Sequence, residues 1–148
     1  MYKHVLIATD GSELAARAVS NGVMLAKSLG AKASIIVVEP TFNAFSVPES
    51  QVRQISEAFT KHAEQIKKHA TYVLDRAADT AKAADVGCNK IQIESDQPYQ
   101  AIIDAAKNNG CDLIVMASHG RGGVSAVLLG SVTNKVLTHT KIPVVVVH

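Results

Sequence analysis

Two short runs in this sequence combine residue types that can hold an anion. The first is Asp10-Gly11-Ser12, directly after the β-rich run His4–Thr9. The second is Ala117-Ser118-His119-Gly120-Arg121-Gly122-Gly123, directly after the apolar run Cys111–Met116, with Gly130-Ser131 following soon behind it. Glycines placed after a strand let backbone N–H groups approach a ligand with no Cβ in the way. A helix opening at Gly130-Ser131 adds unpaired N–H donors and the positive end of its dipole. Phosphate is the chemistry these groups suit, with a hydroxyl from Ser131 and a charge from Arg121. The plainer reading of the same residues is a turn, with Ser131 as a helix cap. Asp10 is also open to two readings. A carboxylate beside phosphate oxygens repels them, so its ligand role would be on base or ribose hydroxyls, or through Mg²⁺. Its structural role would be to cap the first helix, with Glu13 three positions on, as in a capping box.

Other reactive side chains form no set. His119 has no Ser/His/Asp partners or metal-ligand spacing around it, and reads as a residue that fixes the loop. His62 and His69, seven apart, share a helical face without a third ligand. Cys111 reads as an inert core thiol and Cys88, after Gly87, as a more exposed one. There is no G-x-x-x-x-G-K-[ST], and Gly120-Arg121-Gly122-Gly123-Val124-Ser125 lacks the last glycine of the dinucleotide fingerprint.

The elements that must position these residues follow from periodicity. The runs His4–Thr9, Ser34–Val38, Lys90–Glu94, Cys111–Met116 and Ile142–Val147 read as strands. Leu14–Leu29 repeats apolar residues at helical spacing and stops at Gly30. Thr41–Pro48 reads as a loop. Glu49–Val86 is one amphipathic stretch whose full helical length would exceed ~50 Å, so the helix is expected to start late or bend. Pro98 and Gly110 bracket a third helix, and Ser131–Thr138 forms a fourth. Strands alternating with helices give an α/β fold, an open five-stranded parallel sheet with helices on both faces. Ligands of such sheets bind beyond the carboxyl ends of the strands, where the winding reverses. Asp10 and Gly120 would face one crevice there if the first and fourth strands are neighbours.

Composition bounds the function. The chain has 148 residues, 47% hydrophobic and 19% charged, which excludes disorder and points to one domain spanning 1–148. A net charge of +2 is too small to predict binding to nucleic acid or a membrane surface. Two cysteines make no disulfide framework, and no apolar run reaches the length of a membrane span. A soluble, cytoplasmic protein is the expectation.

Gly120, nine residues, then Gly130-Ser131, after a strand ending in Ser-His-Gly, resembles the nucleotide loop of the universal stress protein family. The resemblance extends from Ala8-Thr9-Asp10-Gly11-Ser12 to the closing Ile142-Pro143-Val144-Val145-Val146-Val147. It implies an adenine nucleotide alpha hydrolase-like, Rossmann-like domain that binds ATP or AMP with Mg²⁺ and acts as a signalling dimer in stress responses. Carried over by position, Asp10 and Val38 would meet the adenosine, and Gly120, Gly130 and Ser131 the phosphates. Thr9, Met116, Ala117, His119, Arg121, Gly122, Gly123 and Val132 complete the candidate site. The sequence departs from the family pattern at its first glycine, which is Ala117 here. No residue stands out as a general base, so slow ATP hydrolysis or autophosphorylation is the most catalysis expected.

The last strand lies at a sheet edge in this winding, yet Val144, Val145, Val146 and Val147 are continuously apolar. Such an edge invites pairing with a second copy across a two-fold axis. A helix of the same chain could cover it instead. Two other functions stay open on sequence grounds. One is an interaction protein of the same fold that binds no nucleotide. The other is a flavin carrier, which the absence of Trp and the presence of only three Tyr disfavour.

Overall fold

The computed structural model describes residues 1–41, 51–120 and 129–148, with the side chains of 52 and 53 excepted. The elements run β1 (His4–Ala8), α1 (Glu13–Leu29), β2 (Lys32–Glu39), α2 (Val52–Ala83), β3 (Cys88–Glu94), α3 (Pro98–Asn108), β4 (Leu113–Ala117), α4 (Ser131–His139) and β5 (Val144–Val147). All strand pairs are parallel. The order β3-β2-β1-β4-β5 makes β1 and β4 neighbours, so the winding reverses between them, as expected.

Two apolar layers sandwich the sheet. On one face Val19, Val23 and Ala26 of α1 and Ala70, Val73 and Leu74 of α2 pack on Val5, Ile7, Ile35 and Val115. On the other, Ile102, Ile103 and Ala106 of α3 and Val136 of α4 pack on Leu6, Ile36, Ile114 and Met116. Successive side chains of a strand point to opposite faces, so Leu6 and Ile7 belong to different layers. β1 and β4 are buried along their whole length, which explains their unbroken apolar sequence. β3 alternates polar residues at an outer edge, as its sequence predicts.

Several boundaries differ from the sequence reading. β2 and β3 begin earlier, at Lys32 and Cys88, because each pairs in register with an apolar neighbour (Val5↔Ala33, Ala33↔Cys88). Cys111 and Ile142 precede their strands rather than opening them, since β4 and β5 start where pairing starts (Ile114↔Val144). α2 does start late, at Val52, and still runs 32 residues, or about 48 Å. Its first buried residue among those described is Ala70, so roughly its first half extends past the sheet.

α1 lies close to the sheet because Gly22 faces it. A Cβ at Gly22 would stand 2.8 Å from Cδ1 and Cγ1 of Ile7 and 3.4 Å from Cβ of Val115. Ile7 and Val115 are fully buried and have little room to yield. Gly22→Val is therefore expected to cost about 1–3 kcal/mol by overpacking, read as a lowered midpoint in urea or thermal unfolding. An unchanged midpoint would show that α1 can slide outward freely.

The end of the sheet opposite the candidate site is held by polar contacts. The Asp112 carboxylate accepts the N–H groups of Lys3 and His4 (2.9 and 3.0 Å), and His4 Nε2 meets Ser34 Oγ at 2.8 Å. Burial lowers the His4 imidazole below its ordinary range, and Lys32 lowers it further. Burial alone would raise the Asp112 carboxyl, but the N–H bonds from Lys3 and His4 hold it below the usual carboxylate value. Both shifts have the same consequence. The unfolded chain binds protons that the folded chain resists, so stability falls with falling pH. The loss begins below the ordinary histidine value and deepens through the carboxylate range. His4→Gln is expected to flatten the first part of that pH profile, measured by thermal unfolding.

Candidate functional site

β1 ends in a tight turn that presents Asp10. Asp10 Oδ1 accepts the Ser12 N–H (2.9 Å), and Thr9 Oγ1 accepts the Gly11 N–H (3.3 Å). Gly11 adopts φ 82°, a left-handed conformation in which glycine has no Cβ penalty. The cap of α1 is Ser12, whose Oγ accepts the Ala15 N–H at 3.2 Å. This corrects the reading of Asp10 as the cap with a capping box to Glu13. Glu13 is the first helical residue, too close to the cap for that box.

β4 delivers the second half of the site. Ser118 N–H donates to the Val147 carbonyl (2.8 Å), and Gly130 N–H donates to the Ser118 carbonyl (2.6 Å). Thr133 Oγ1, buried in the first turn of α4, donates to the Ala117 carbonyl at 2.8 Å. These bonds pin the start of α4 to the end of β4. Gly130 is the N-cap, extended at φ −69° and ψ 163°, and no side chain caps the helix. Ser131 is thus the first helical residue and not the cap expected of it. A glycine cap leaves the first-turn N–H donors for a ligand. His119 Nδ1 lies 3.1 Å from Oγ of the preceding residue, Ser118.

The two strand ends touch. A Cβ on Gly120 would collide with Asp10 Oδ2, so any larger residue here would have to push the Asp10 carboxylate out of its present position. Above them opens a cleft of about 840 Å³, within the range of small-ligand sites. Every described residue of the sequence-derived nucleotide site lines it: Thr9, Asp10, Val38, Met116, Ala117, His119, Gly120, Gly130, Ser131 and Val132. Arg121, Gly122 and Gly123 lie outside the described residues. Ala117 ends β4, and Asp85 is the only described non-glycine residue with positive φ. The backbone at Ala117 therefore makes no demand for glycine.

Sequence reasoning missed the α2 side of the cleft, where His62, Gln65, Ile66 and His69 also line it. The shared helical face of His62 and His69 was the available signal. Among the described residues no group of three His, Cys, Asp or Glu could hold a metal ion. Cys111 lies away from the cleft, and burial pushes its thiol up to about 11, with Asp112 adding to the shift. That thiol is inert at neutral pH.

Comparison with known proteins adds a lineage to this geometry. A model of the universal stress protein family matches residues 1–148. Universal stress protein YxiE of Bacillus subtilis is 32% identical over 149 residues, covering 99% of this chain and 99% of that protein. The solved structure of hypothetical protein MJ0577 superposes with a TM-score of 0.76 at 24% identity, over 99% of this chain and 96% of that one. A universal stress protein crystallised in complex with cAMP superposes with a TM-score of 0.72 at 26% identity, over 99% and 97%.

Proposed function

This chain belongs to the universal stress protein family, and from that premise we propose that it binds an adenine nucleotide, ATP or AMP, in the cleft between Asp10 and the start of α4. One observation carries the reading: the glycine-capped N-terminus of α4, bonded through Gly130 to the end of β4, opens into that cleft. The related protein crystallised with cAMP supports the adenine class.

In this reading Val38 and Met116 hold the base, and Thr9 and Asp10 meet the ribose. Gly120, Gly130, Ser131 and Val132 cradle the phosphates, with His119 and Ala117 shaping the floor. Arg121, Gly122 and Gly123 belong to the same proposal by sequence position. Mg²⁺ fits as a companion of the nucleotide. Asp10 and Glu39 are the carboxylates among the described lining residues, and Asp10, at the end of β1, is the protein ligand such an ion would take when phosphates supply the rest. The protein would work in the cytoplasm as a regulatory homodimer, joined through Val144–Val147 of β5. Among the described residues no helix is long and apolar enough to cross a membrane.

The test is mass spectrometry of the ligand released from freshly purified, undialysed protein, followed by titration with ATP and Mg²⁺. Recovered adenine nucleotide or micromolar binding is the expected result. An empty protein that ignores millimolar ATP would sink the reading and favour an interaction protein of the same fold.

A further inference from the structure

One side chain lining the cleft is out of place by type. Glu39, the last residue of β2, is nine-tenths buried there. A buried carboxylate costs free energy unless hydrogen bonds or a cation compensate it, and here the compensation is thin. Gln92 of β3 donates to its Oε1 at 3.0 Å. Among the described residues the Glu39 carboxylate has no other donor and no ion pair. Its register partner on β3 is Glu94, another carboxylate, and no Lys or Arg is among the described lining residues. A carboxylate has room for about four hydrogen bonds and only accepts them.

The bond to Gln92 also fixes where the carboxylate stands. The Gln92 amide nitrogen donates to the Lys67 carbonyl of α2 as well (3.2 Å), and its oxygen accepts from Thr71 Oγ1 of α2 (3.1 Å). Gln92 is thus held at both ends of its amide, and Glu39 is held through it. The α2 side of the cleft is otherwise apolar at depth, with Val37, Ala70 and Val73 buried and Ile66 half-buried. The polar residues of that wall, His62, Gln65 and His69, are exposed.

Glu39 and Val38 point to opposite faces of the sheet, as successive strand residues do. The lining nonetheless includes Ile36 and Val38 from one face and Val37 and Glu39 from the other, so the cleft straddles the end of β2. A flat base seated over that end would meet apolar walls on its faces and the carboxylate at one edge. Such a position suits an N–H donor and repels a carbonyl oxygen.

We propose that Glu39 is a specificity-determining residue that accepts a hydrogen bond from the exocyclic amine of the base, so that the cleft prefers a purine carrying that amine to one with a carbonyl in its place. The proposal rests on the nucleotide reading above.

Calorimetric titration with ATP and with inosine triphosphate, both with Mg²⁺, tests this. The two ligands share ribose and triphosphate and differ at the base edge, where a carbonyl replaces the amine. The unmodified chain is expected to bind ATP about ten- to a hundredfold more tightly, the range for a hydrogen bond to a charged group. In Glu39→Gln the new amide can accept from the amine or donate to the carbonyl, and it can still accept from Gln92. The ratio is therefore expected to fall toward parity in a chain that keeps its clamp on α2. A purely structural Glu39 would lower both affinities and leave the ratio unchanged. Equal binding of the two ligands by the unmodified chain, or a ratio that survives Glu39→Gln, overturns the Glu39 role and leaves the nucleotide reading standing. No binding of either ligand overturns both.

Discussion

Gly130→Val is expected to lower ATP affinity at least about a hundredfold, equivalent to roughly 2.7 kcal/mol, while the chain stays folded. The argument is geometric. A Cβ at Gly130 would stand 3.1 Å from His119 Cα, 3.3 Å from His119 Cβ and 3.4 Å from the Ser118 carbonyl oxygen. Two of these neighbours are backbone, which cannot rotate aside as a side-chain end can. Valine adds two methyl groups beyond that Cβ, so the start of α4 must move away from the end of β4. The Gly130 N–H to Ser118 carbonyl bond of 2.6 Å would stretch or break, and the first-turn N–H donors would shift with it. Preorganised donors lose much of their value when displaced by about an ångström.

Two companion variants separate this mechanism from simple damage. Ser131→Ala removes a hydroxyl but leaves the N–H, and should cost tenfold or less, in line with about 1 kcal/mol for one hydrogen bond. Gly130→Ala should fall between the two. Equal ATP affinity in Gly130→Val and the unmodified chain, by calorimetry with Mg²⁺ present, would remove α4 from the phosphate site.

The order of these effects separates what the residue types decide locally from what the fold decides. The crevice follows from local rules: Asp10-Gly11-Ser12 can only turn, Gly120 and Gly130 can approach backbone closely, and an α/β winding brings β1 beside β4. Identity at a helix start is subtler. Asp10 and Ser12 are both good caps, and the choice of Ser12 depends on Asp10 Oδ1 already accepting the Ser12 N–H. Similarly, Ser131 is a good cap by type, yet the bond from Gly130 to Ser118 sets the helix start one residue earlier. Ala117 looked like a defect in the glycine pattern. In the fold it is a strand residue paired opposite Val147, a backbone state that alanine adopts without strain. The α2 wall was hidden for a different reason. Whether His62 and His69 face solvent or ligand depends on how far α2 runs past the sheet, a long-range property that a helical repeat alone does not encode.

Val145→Lys is expected to convert the proposed homodimer to monomers at micromolar concentration, seen by sedimentation velocity, with little loss of folding stability. The two sheet edges differ in the way that leads to this expectation. β3 carries Asn89, Lys90, Gln92 and Glu94 along its length and leaves most of them accessible, which blunts it against pairing. β5 is four valines, bonded on one side to β4. Val144 packs toward α3 and α4 and Val147 toward α1, but Val145 remains 38% exposed. The α1 side of the sheet therefore covers this edge only in part. A second copy of β5 across a two-fold axis would bury Val145 twice, and each lysine would then lose hydration with no carboxylate on β5 to pair with. Because Val145 is exposed in the single chain, the folded monomer should tolerate the lysine. A dimer unchanged by Val145→Lys would move the contact away from the β5 edge. A chain that is monomeric before mutation would overturn the β5 homodimer.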